Sequence, residues 1–146
     1  MLYQAIYVAP GQPVLPREVV RSPELARYVA GWGQAGDAGL LATDAATGQR
    51  MGAVWLRLLG GNNKGYGYVD AQTPELSMAV LPDYRGQGIG TQLLRRLFVS
   101  DWVPAAVSLS VSAGNPALQL YQRFGFEKVG ASNESFTLKR NLTVPL

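Results

Sequence analysis

The 146-residue chain contains neither cysteine nor histidine. Without thiols it can form no disulfide, no thiolate nucleophile and no cysteine-ligated metal site. Without imidazoles, a general base that works near neutral pH must be a carboxylate, a perturbed lysine or tyrosine, or a relayed water. These two absences exclude Ser-His-Asp chemistry and the usual forms of zinc catalysis.

Long apolar runs and blocks of like charge are also missing. No apolar segment approaches the ~20 residues that a membrane helix needs, and the N-terminal segment lacks the charged and apolar regions of a signal peptide. The formal net charge is +3 and the pI about 9.4, but no run of five or more Lys/Arg residues occurs. We therefore expect a cytoplasmic protein that binds neither membranes nor nucleic acid.

The overall composition is that of an ordinary globular protein, with 47% hydrophobic and 16% charged residues. With no repeat or linker, the length predicts a single domain over residues 1–146. Apolar spacing and turn residues predict strands at 2–8, 38–43, 50–59, 75–81, 107–111, 126–129 and 135–140, and helices at 16–20, 22–31, 89–99 and 115–125. The last two strands are expected to be joined by a turn near Gly130. This order indicates an α/β (α+β) protein with one mixed sheet that helices cover on both faces.

Three glycines alternate at the junction between a predicted strand and a predicted helix, at Gly86, Gly88 and Gly90. Glycine removes the Cβ atoms that would keep a ligand from the backbone, and the first N–H groups of the helix can bind phosphate oxygens. Arg85 adds a guanidinium that can fork to the same anion. A dinucleotide fingerprint would need glycine where Thr91 stands, and a P-loop would need Gly-Lys-Ser/Thr. The junction therefore predicts a different kind of phosphate site.

This segment, Arg85-Gly86-Gln87-Gly88-Ile89-Gly90, resembles motif A (Arg/Gln-x-x-Gly-x-Gly/Ala) of the GCN5-related N-acetyltransferases. The segment from Asn115 to Phe126 resembles motif B of the same family, with matches at Asn115, Leu120, Tyr121, Gly125 and Phe126. The resemblance covers roughly residues 74–126. It implies the acyl-CoA N-acyltransferase fold, a mixed and mostly antiparallel sheet of about seven strands flanked by about four helices.

The same resemblance implies acetyl-CoA as the acetyl donor. It implies that Met78, Ala79 and Val80 pair through their backbone with the pantetheine arm. The pyrophosphate would lie against Arg85, Gly86, Gln87, Gly88, Ile89, Gly90 and Thr91. Asn115 is the expected cap of the following helix, and in the family this side chain often contacts the cofactor as well.

Tyr121 is by resemblance the general acid that protonates the departing thiolate of coenzyme A, a task that suits a pKa near 10. By helical spacing alone it would be a core aromatic. No nucleophile for a covalent intermediate stands out, so we expect direct attack by the amine, with the backbone N–H of Val80 or a neighbour polarising the thioester carbonyl.

The attacking amine must lose a proton, and Glu75 is the best-placed carboxylate to accept it. In several branches of the family a glutamate opens this strand and acts as base through water; otherwise Glu75 is a solvated charge at a strand end. Asp70 is an alternative base. Another branch carries its glutamate where this chain has Ser110, which weakens any assignment to peptide N-terminal acetylation.

The sequence leaves the amine acceptor unnamed, whether a small molecule, a protein lysine or an N-terminus. The segments at 15–31 and 60–70 supply Trp32, Tyr66 and Tyr68 with Asp37 and Asp70 nearby, an aromatic and weakly acidic set that would attract a cation. A non-catalytic sensor that binds acyl-CoA remains the alternative function. The sequence is compatible with a monomer or a homodimer.

Overall fold

The computed structural model describes residues 1–101 and 104–142. It contains six strands: β1 (Ala38–Thr43), β2 (Arg50–Arg57), β3 (Glu75–Val80), β4 (Ala106–Ser112), β5 (Glu127–Ser132) and β6 (Ser135–Asn141). The α-helices of the described residues are α1 (Leu2–Ala5), α2 (Pro23–Ala26), α3 (Ile89–Phe98) and α4 (Ala117–Arg123). The longest of these four, α3, has ten residues, too short and too polar to cross a bilayer.

The strands form one mixed sheet in the order β1-β2-β3-β4-β6-β5. Every neighbouring pair is antiparallel except β3 and β4, which run parallel. β2 and β3 pair over six residues, whereas β3 and β4 pair only at Glu75 and Ser108. From that point the two central strands diverge and leave a gap in the middle of the sheet.

The hydrophobic core lies on one face of the sheet, beneath α3 and α4. Apolar residues recur at helical spacing in α3, where Leu93, Leu94 and Leu97 are buried. They pack against inward-facing strand residues that include Val54, Leu56, Leu76, Val107, Leu109 and Leu138. Burial of each large apolar side chain contributes about 1.5–3 kcal/mol. This packing holds the start of α3 against the open edge of β3.

The opposite face of the sheet carries the N-terminal segments. Because neighbouring residues of a strand point to opposite faces, Trp55 and Arg57 lie here while Val54 and Leu56 lie in the core. The Trp55 indole donates a hydrogen bond to the Tyr28 carbonyl (3.0 Å), and Arg57 donates to the carbonyls of Arg27 and Ala30. These bonds fix the segment after α2 over β2 and β3.

The predicted fold is confirmed, but the sheet has six described strands rather than about seven. The segment expected as a strand at 2–8 instead begins with the short helix α1 and packs across β3. Its side chains form tertiary contacts instead of strand contacts. Tyr3 donates a hydrogen bond to the Leu15 carbonyl (2.5 Å), and Tyr7 donates one to the Gly114 carbonyl (3.0 Å). Tertiary partners have overridden the local strand propensity.

Two smaller expectations were also wrong. The helix expected at 22–31 is regular only at Pro23–Ala26, and the Ser22 hydroxyl bonds the Val19 carbonyl instead of capping it. The turn between the last strands lies at Asn133, whose φ of 52° is left-handed, rather than near Gly130. Gly130 instead follows an irregularity in the β5–β6 pairing. The helix expected at 16–20 is a short 3₁₀ helix at Arg17–Arg21. The remaining elements agree with the sequence prediction to within three residues.

Candidate active site

A cleft of about 1080 Å³ occupies the gap between β3 and β4. Residues 75–80 of β3 form one wall, and residues 110–112 of β4 with the start of α4 form the other. Since β2 pairs with one edge of β3 only, the backbone groups on the other edge face the cleft. An extended ligand could therefore add to β3 as a strand would.

The glycine junction closes one end of this cleft. Gly86 and Gly88 have φ values of +75° and +79°, in the left-handed region that favours glycine, and an added Cβ on either would meet no atom within 4 Å. Gly88 is the N-cap of α3 and contributes no side chain there, so the first N–H groups of that helix have no side-chain cap. In the part of the chain that the structure describes, no side chain caps these donors, and the junction presents them to open space, as a diphosphate site requires.

Gly90 has a different role from the other two glycines. A Cβ on Gly90 would lie 3.3 Å from the Met78 Cε atom and 3.5 Å from a Leu120 methyl group. This glycine lets the first turn of α3 pack closely on β3 and α4. Of the three glycines, only Gly86 and Gly88 therefore face open space, and Gly90 serves packing.

Arg85 is held at the same end by backbone and N-terminal groups. Its Nε atom donates to the Val80 carbonyl (2.9 Å), and a terminal nitrogen lies 3.3 Å from the Gln4 side-chain oxygen and 3.5 Å from the Gln4 carbonyl. Residues 2–8 line the cleft beside it. The N-terminal segment therefore covers the part of the cleft where the resemblance implies the cofactor.

The structure brings nearly all of the predicted site residues to this one cleft. Its lining includes Glu75, Met78, Ala79, Val80, Arg85, Gly86, Gly88, Ile89, Gly90, Thr91, Asn115 and Tyr121. Gln87 is the exception, because its exposed side chain donates to the Asp83 carbonyl at 3.3 Å, outside the lining. Asn115 acts as a local cap, its side-chain oxygen accepting the Ala117 N–H at 2.9 Å.

Tyr121 projects from α4 toward the cleft and is only 7% exposed. Its ring packs edge-on against Phe126 with centroids 5.7 Å apart, which fixes its orientation. Burial raises the pKa of Tyr121 above its ordinary value of 10.0, so the phenol stays protonated across the working pH range. The expectation of an unperturbed pKa was wrong, although a protonated hydroxyl is what a proton donor needs.

Glu75 lies where β3 and β4 separate and is 2% exposed. Its Oε1 atom accepts hydrogen bonds from the Tyr28 hydroxyl (3.1 Å) and the Gly67 N–H (2.9 Å), and Oε2 accepts from the Gly65 N–H (3.0 Å). The Tyr28 oxygen in turn accepts the Tyr66 N–H at 2.7 Å. Glu75 is therefore a buried carboxylate that anchors residues 65–67, not a solvated charge at a strand end.

Two opposing effects of its environment act on the pKa of Glu75. Burial raises its pKa above the ordinary value of 4.5, and the donors from Gly67, Tyr28 and Gly65 oppose that shift. A carboxylate offers about four acceptor positions, and the described residues fill three. The remaining position, on Oε2, has no donor among the described residues.

The other acidic candidates are engaged elsewhere. Asp70 accepts from the Thr73 hydroxyl (2.8 Å) and lies 3.9 Å from the Lys139 ammonium, and the Thr73 bond is the main cause of its lowered pKa, which makes it a poor base. Asp37 forms a buried ion pair with Arg57 at 3.2 Å. Of Glu75, Asp70 and Asp37, only Glu75 lines the cleft and could attract a cation there. Ser110 also lines the cleft but carries no carboxylate.

Sequence reasoning missed two components of the site. Tyr28 lies in the segment predicted as a helix at 22–31, and no sequence signal assigned it to the site, whereas its hydroxyl reaches Glu75, 47 positions away. The pair Gly65 and Gly67 packs into the sheet gap, where a Cβ on Gly67 would lie 2.6 Å from the Leu109 backbone. The alternation Gly-Tyr-Gly after a loop was the local signal that the backbone approaches something closely.

Comparisons with known proteins identify the family to which this fold belongs. A sequence profile described as "Acetyltransferase (GNAT) domain" matches residues 37–128, from the start of the sheet through α4. A search of curated proteins gave no match to the chain. Residues 1–36, which lie over one face of the sheet, are outside the profile.

Solved structures resemble the chain in fold. A GCN5-related N-acetyltransferase from Kribbella flavida superposes with a TM-score of 0.64 at 22% identity, covering 96% of this chain and 85% of that one. A protein assigned to the GnaT family from Bordetella pertussis gives 0.67 at 19%, covering 94% and 85%. The spermidine/spermine N-acetyltransferase SpeG of Vibrio cholerae gives 0.57 at 18%, covering 76% and 68%. Because the profile spans more than half of the chain and the fold agrees with it, the chain belongs to the GNAT family of acetyltransferases.

Proposed function

We propose that the protein transfers the acetyl group of acetyl-CoA to a primary amine by direct attack. The observation that carries this proposal is the arrangement of one cleft with three features: unpaired helix N–H groups at Gly88, a buried carboxylate at Glu75 and a protonated phenol at Tyr121. A sensor that only binds acyl-CoA would need the first feature alone.

The residues present fit coenzyme A in shape and charge. The open space at Gly86 and Gly88 admits a bulky anion, and Arg85 supplies a guanidinium beside it. The edge of β3 that does not pair with β2 runs along Met78, Ala79 and Val80 and offers backbone groups to an amide-containing arm, apart from the Val80 carbonyl, which accepts a hydrogen bond from Arg85. Asn115 lines the same cleft and supports a further contact.

Acetyl-CoA supplies an activated thioester whose acetyl carbon forms the new bond to nitrogen as the bond to sulfur breaks. Glu75 accepts the amine proton, directly or through one water, at its remaining Oε2 position. Tyr121 donates its hydroxyl proton to the departing sulfur, whose basicity is raised by the same dry surroundings that raise the pKa of the phenol. A backbone N–H near Val80 stabilises the charge on the carbonyl oxygen.

Release of free thiol tests this function directly. The purified protein is mixed with acetyl-CoA and a panel of primary amines, and coenzyme A is measured with a thiol reagent against an amine-free blank. We expect amine-dependent release. If no amine gives release while acetyl-CoA binds, the sensor function replaces the enzyme.

Replacement of Gly88 by alanine is expected to weaken coenzyme A binding about tenfold or more. The Cβ would occupy open space at the helix N-terminus and displace an oxygen from its N–H donors, and a hydrogen bond to a charged group contributes about 1.5–3 kcal/mol. Gly48→Ala is the matched control, because Gly48 has a similar φ of +73°, equally open surroundings and a place in the β1–β2 turn outside the cleft. If calorimetry gives equal coenzyme A affinities for Gly88→Ala and Gly48→Ala, Gly88 does not belong to the coenzyme A site.

Gln4→Ala is expected to tighten coenzyme A binding about two- to threefold. The substitution removes a contact that Arg85 must give up before it turns to a phosphate, and a long exposed hydrogen bond contributes little more than 0.5 kcal/mol. Gln119→Ala, on the exposed face of α4, is the control. An unchanged affinity for Gln4→Ala would mean that Arg85 does not exchange partners.

The kcat/KM of the enzyme is expected to rise with pH along an acidic limb whose midpoint lies above 4.5, the ordinary glutamate pKa. Burial favours the neutral acid, so Glu75 becomes an active base only after pH exceeds its raised pKa. A profile measured with saturating acetyl-CoA checks this. A limb at or below the ordinary value would exclude Glu75 as the base.

A further inference from the structure

The cleft is almost free of charge. Of the described residues that line it, only Glu75 and Arg85 carry formal charge. Arg85 lies at the glycine junction, where the proposed function places phosphate, and Glu75 lies where the two strands separate. The acceptor end of the cleft therefore offers a single negative group.

The surroundings of Glu75 do not supply a second negative group. The nearby charge that acts on its pKa is the Arg27 guanidinium, which also donates to the Lys64 carbonyl. Residues 17–27, which lead up to this point, contain three arginines and two glutamates. Asp37, the other buried acid on this face, is neutralised by Arg57. A second ammonium on the acceptor would thus find no carboxylate besides Glu75 in the described lining, and near Glu75 it would meet the Arg27 guanidinium.

Much of the cleft lining is apolar or aromatic. Leu25 and Tyr66, which is 61% exposed, line the cleft and are hydrogen-bonded through their backbones to Tyr28, the partner of Glu75. Val14 and Leu15 line the cleft from the N-terminal segment. Such surfaces favour methylene or aromatic carbon, because burial of apolar area is favourable whereas an unpaired charge loses hydration there.

Resting on the proposed acetyl transfer, we propose that the acceptor is a primary monoamine with an uncharged, apolar body. Its one ammonium group pairs with Glu75, and its body lies against Leu25 and Tyr66 and extends along the cleft toward Val14 and Leu15. The cleft lacks the second carboxylate that would compensate a diamine or polyamine. The chain is then distinct in acceptor from the spermidine N-acetyltransferase whose fold it shares.

Hexylamine and hexane-1,6-diamine provide a matched test, since they share a six-carbon chain and differ in one terminal ammonium. Thiol release at saturating acetyl-CoA gives kcat/KM for each amine, with the diamine value halved for its two equivalent groups. We expect hexylamine to be favoured about tenfold or more, with spermidine below both, because a desolvated ammonium without a partner is strongly disfavoured.

A substitution that adds a second carboxylate to the cleft tests the same inference in the opposite direction, by favouring the diamine. Val14 is 82% exposed and lines the cleft, so Val14→Glu places a carboxylate at its rim with little effect on folding. It is expected to raise the ratio of diamine to monoamine kcat/KM about threefold, the size of an exposed ion pair. Val99→Glu is the control, since Val99 is 76% exposed, follows α3 and lies outside the cleft lining.

The outcomes separate this inference from the function on which it rests. Preference for hexylamine together with a shift in Val14→Glu alone supports it. Equal or greater kcat/KM for the diamine or for spermidine overturns the monoamine inference while supporting acetyl transfer. Absence of thiol release with every amine overturns both. An equal shift in Val14→Glu and Val99→Glu would mean that net charge, not the cleft, sets the preference, which also overturns it.

Discussion

Tyr121→Phe is expected to lower kcat about 100-fold or more while the Kd for coenzyme A stays within about twofold. General acid catalysis contributes about 10²–10⁴-fold, and this substitution removes only the hydroxyl. The ring remains packed against Phe126, so the free energy of unfolding should change by less than about 1 kcal/mol. Steady-state kinetics, calorimetry and thermal unfolding of the same preparation separate these three quantities.

Tyr68→Phe is the matched control for Tyr121→Phe. Tyr68 loses the same atom, lies outside the cleft lining and contacts the Lys64 ammonium through its ring, 4.6 Å from the centroid. Its kcat should equal that of the unaltered enzyme. A Tyr121→Phe enzyme with undiminished kcat would show that another group, or water, protonates the thiolate.

Glu75→Gln is expected to reduce kcat/KM about 100-fold or more and to remove the acidic limb of the pH profile. The amide cannot accept the amine proton. It also presents an NH₂ group to neighbours that are all donors, the Tyr28 hydroxyl and the N–H groups of Gly65 and Gly67, which costs about 1–3 kcal/mol of stability. The kinetic loss should persist at temperatures where the variant is fully folded.

Tyr28→Phe distinguishes a base from a structural anchor at Glu75. It breaks one of the same hydrogen bonds but retains the carboxylate. Since the Tyr28 bond lowers the pKa of Glu75, its removal should move the acidic limb to higher pH without abolishing it. If Glu75→Gln and Tyr28→Phe lose similar stability and both keep the original limb, Glu75 only holds the loop at 65–67 and the base lies elsewhere.

The geometry of the glycine junction could be predicted from the sequence because its signals are local. Glycines at alternating positions, a strand before them and a helix after them all fall within residues 75–98, and the structure places Gly86, Gly88 and Arg85 as that pattern requires. The family resemblance then added Tyr121 and Asn115, which a local pattern alone would have assigned to the core and to a helix cap.

The acceptor end could not be predicted in the same way because it is assembled from distant segments. Tyr28, Gly65 and Glu75 meet through hydrogen bonds that span 10 to 47 positions, and no short pattern encodes them. The N-terminal segment misled the prediction for a related reason. Its alternation is typical of a strand, but the contacts of Tyr3 and Tyr7 with distant carbonyls decide its conformation.

The most direct test of the whole account is a calorimetric titration of the protein with coenzyme A. The account predicts saturable binding with one site per chain and a Kd between about 1 μM and 1 mM, the usual range for an enzyme substrate, together with a higher Tm in the presence of the ligand. A titration without heat and a Tm that does not move at millimolar coenzyme A would contradict the assignment of the Gly86–Gly88 junction, and with it the proposed reaction.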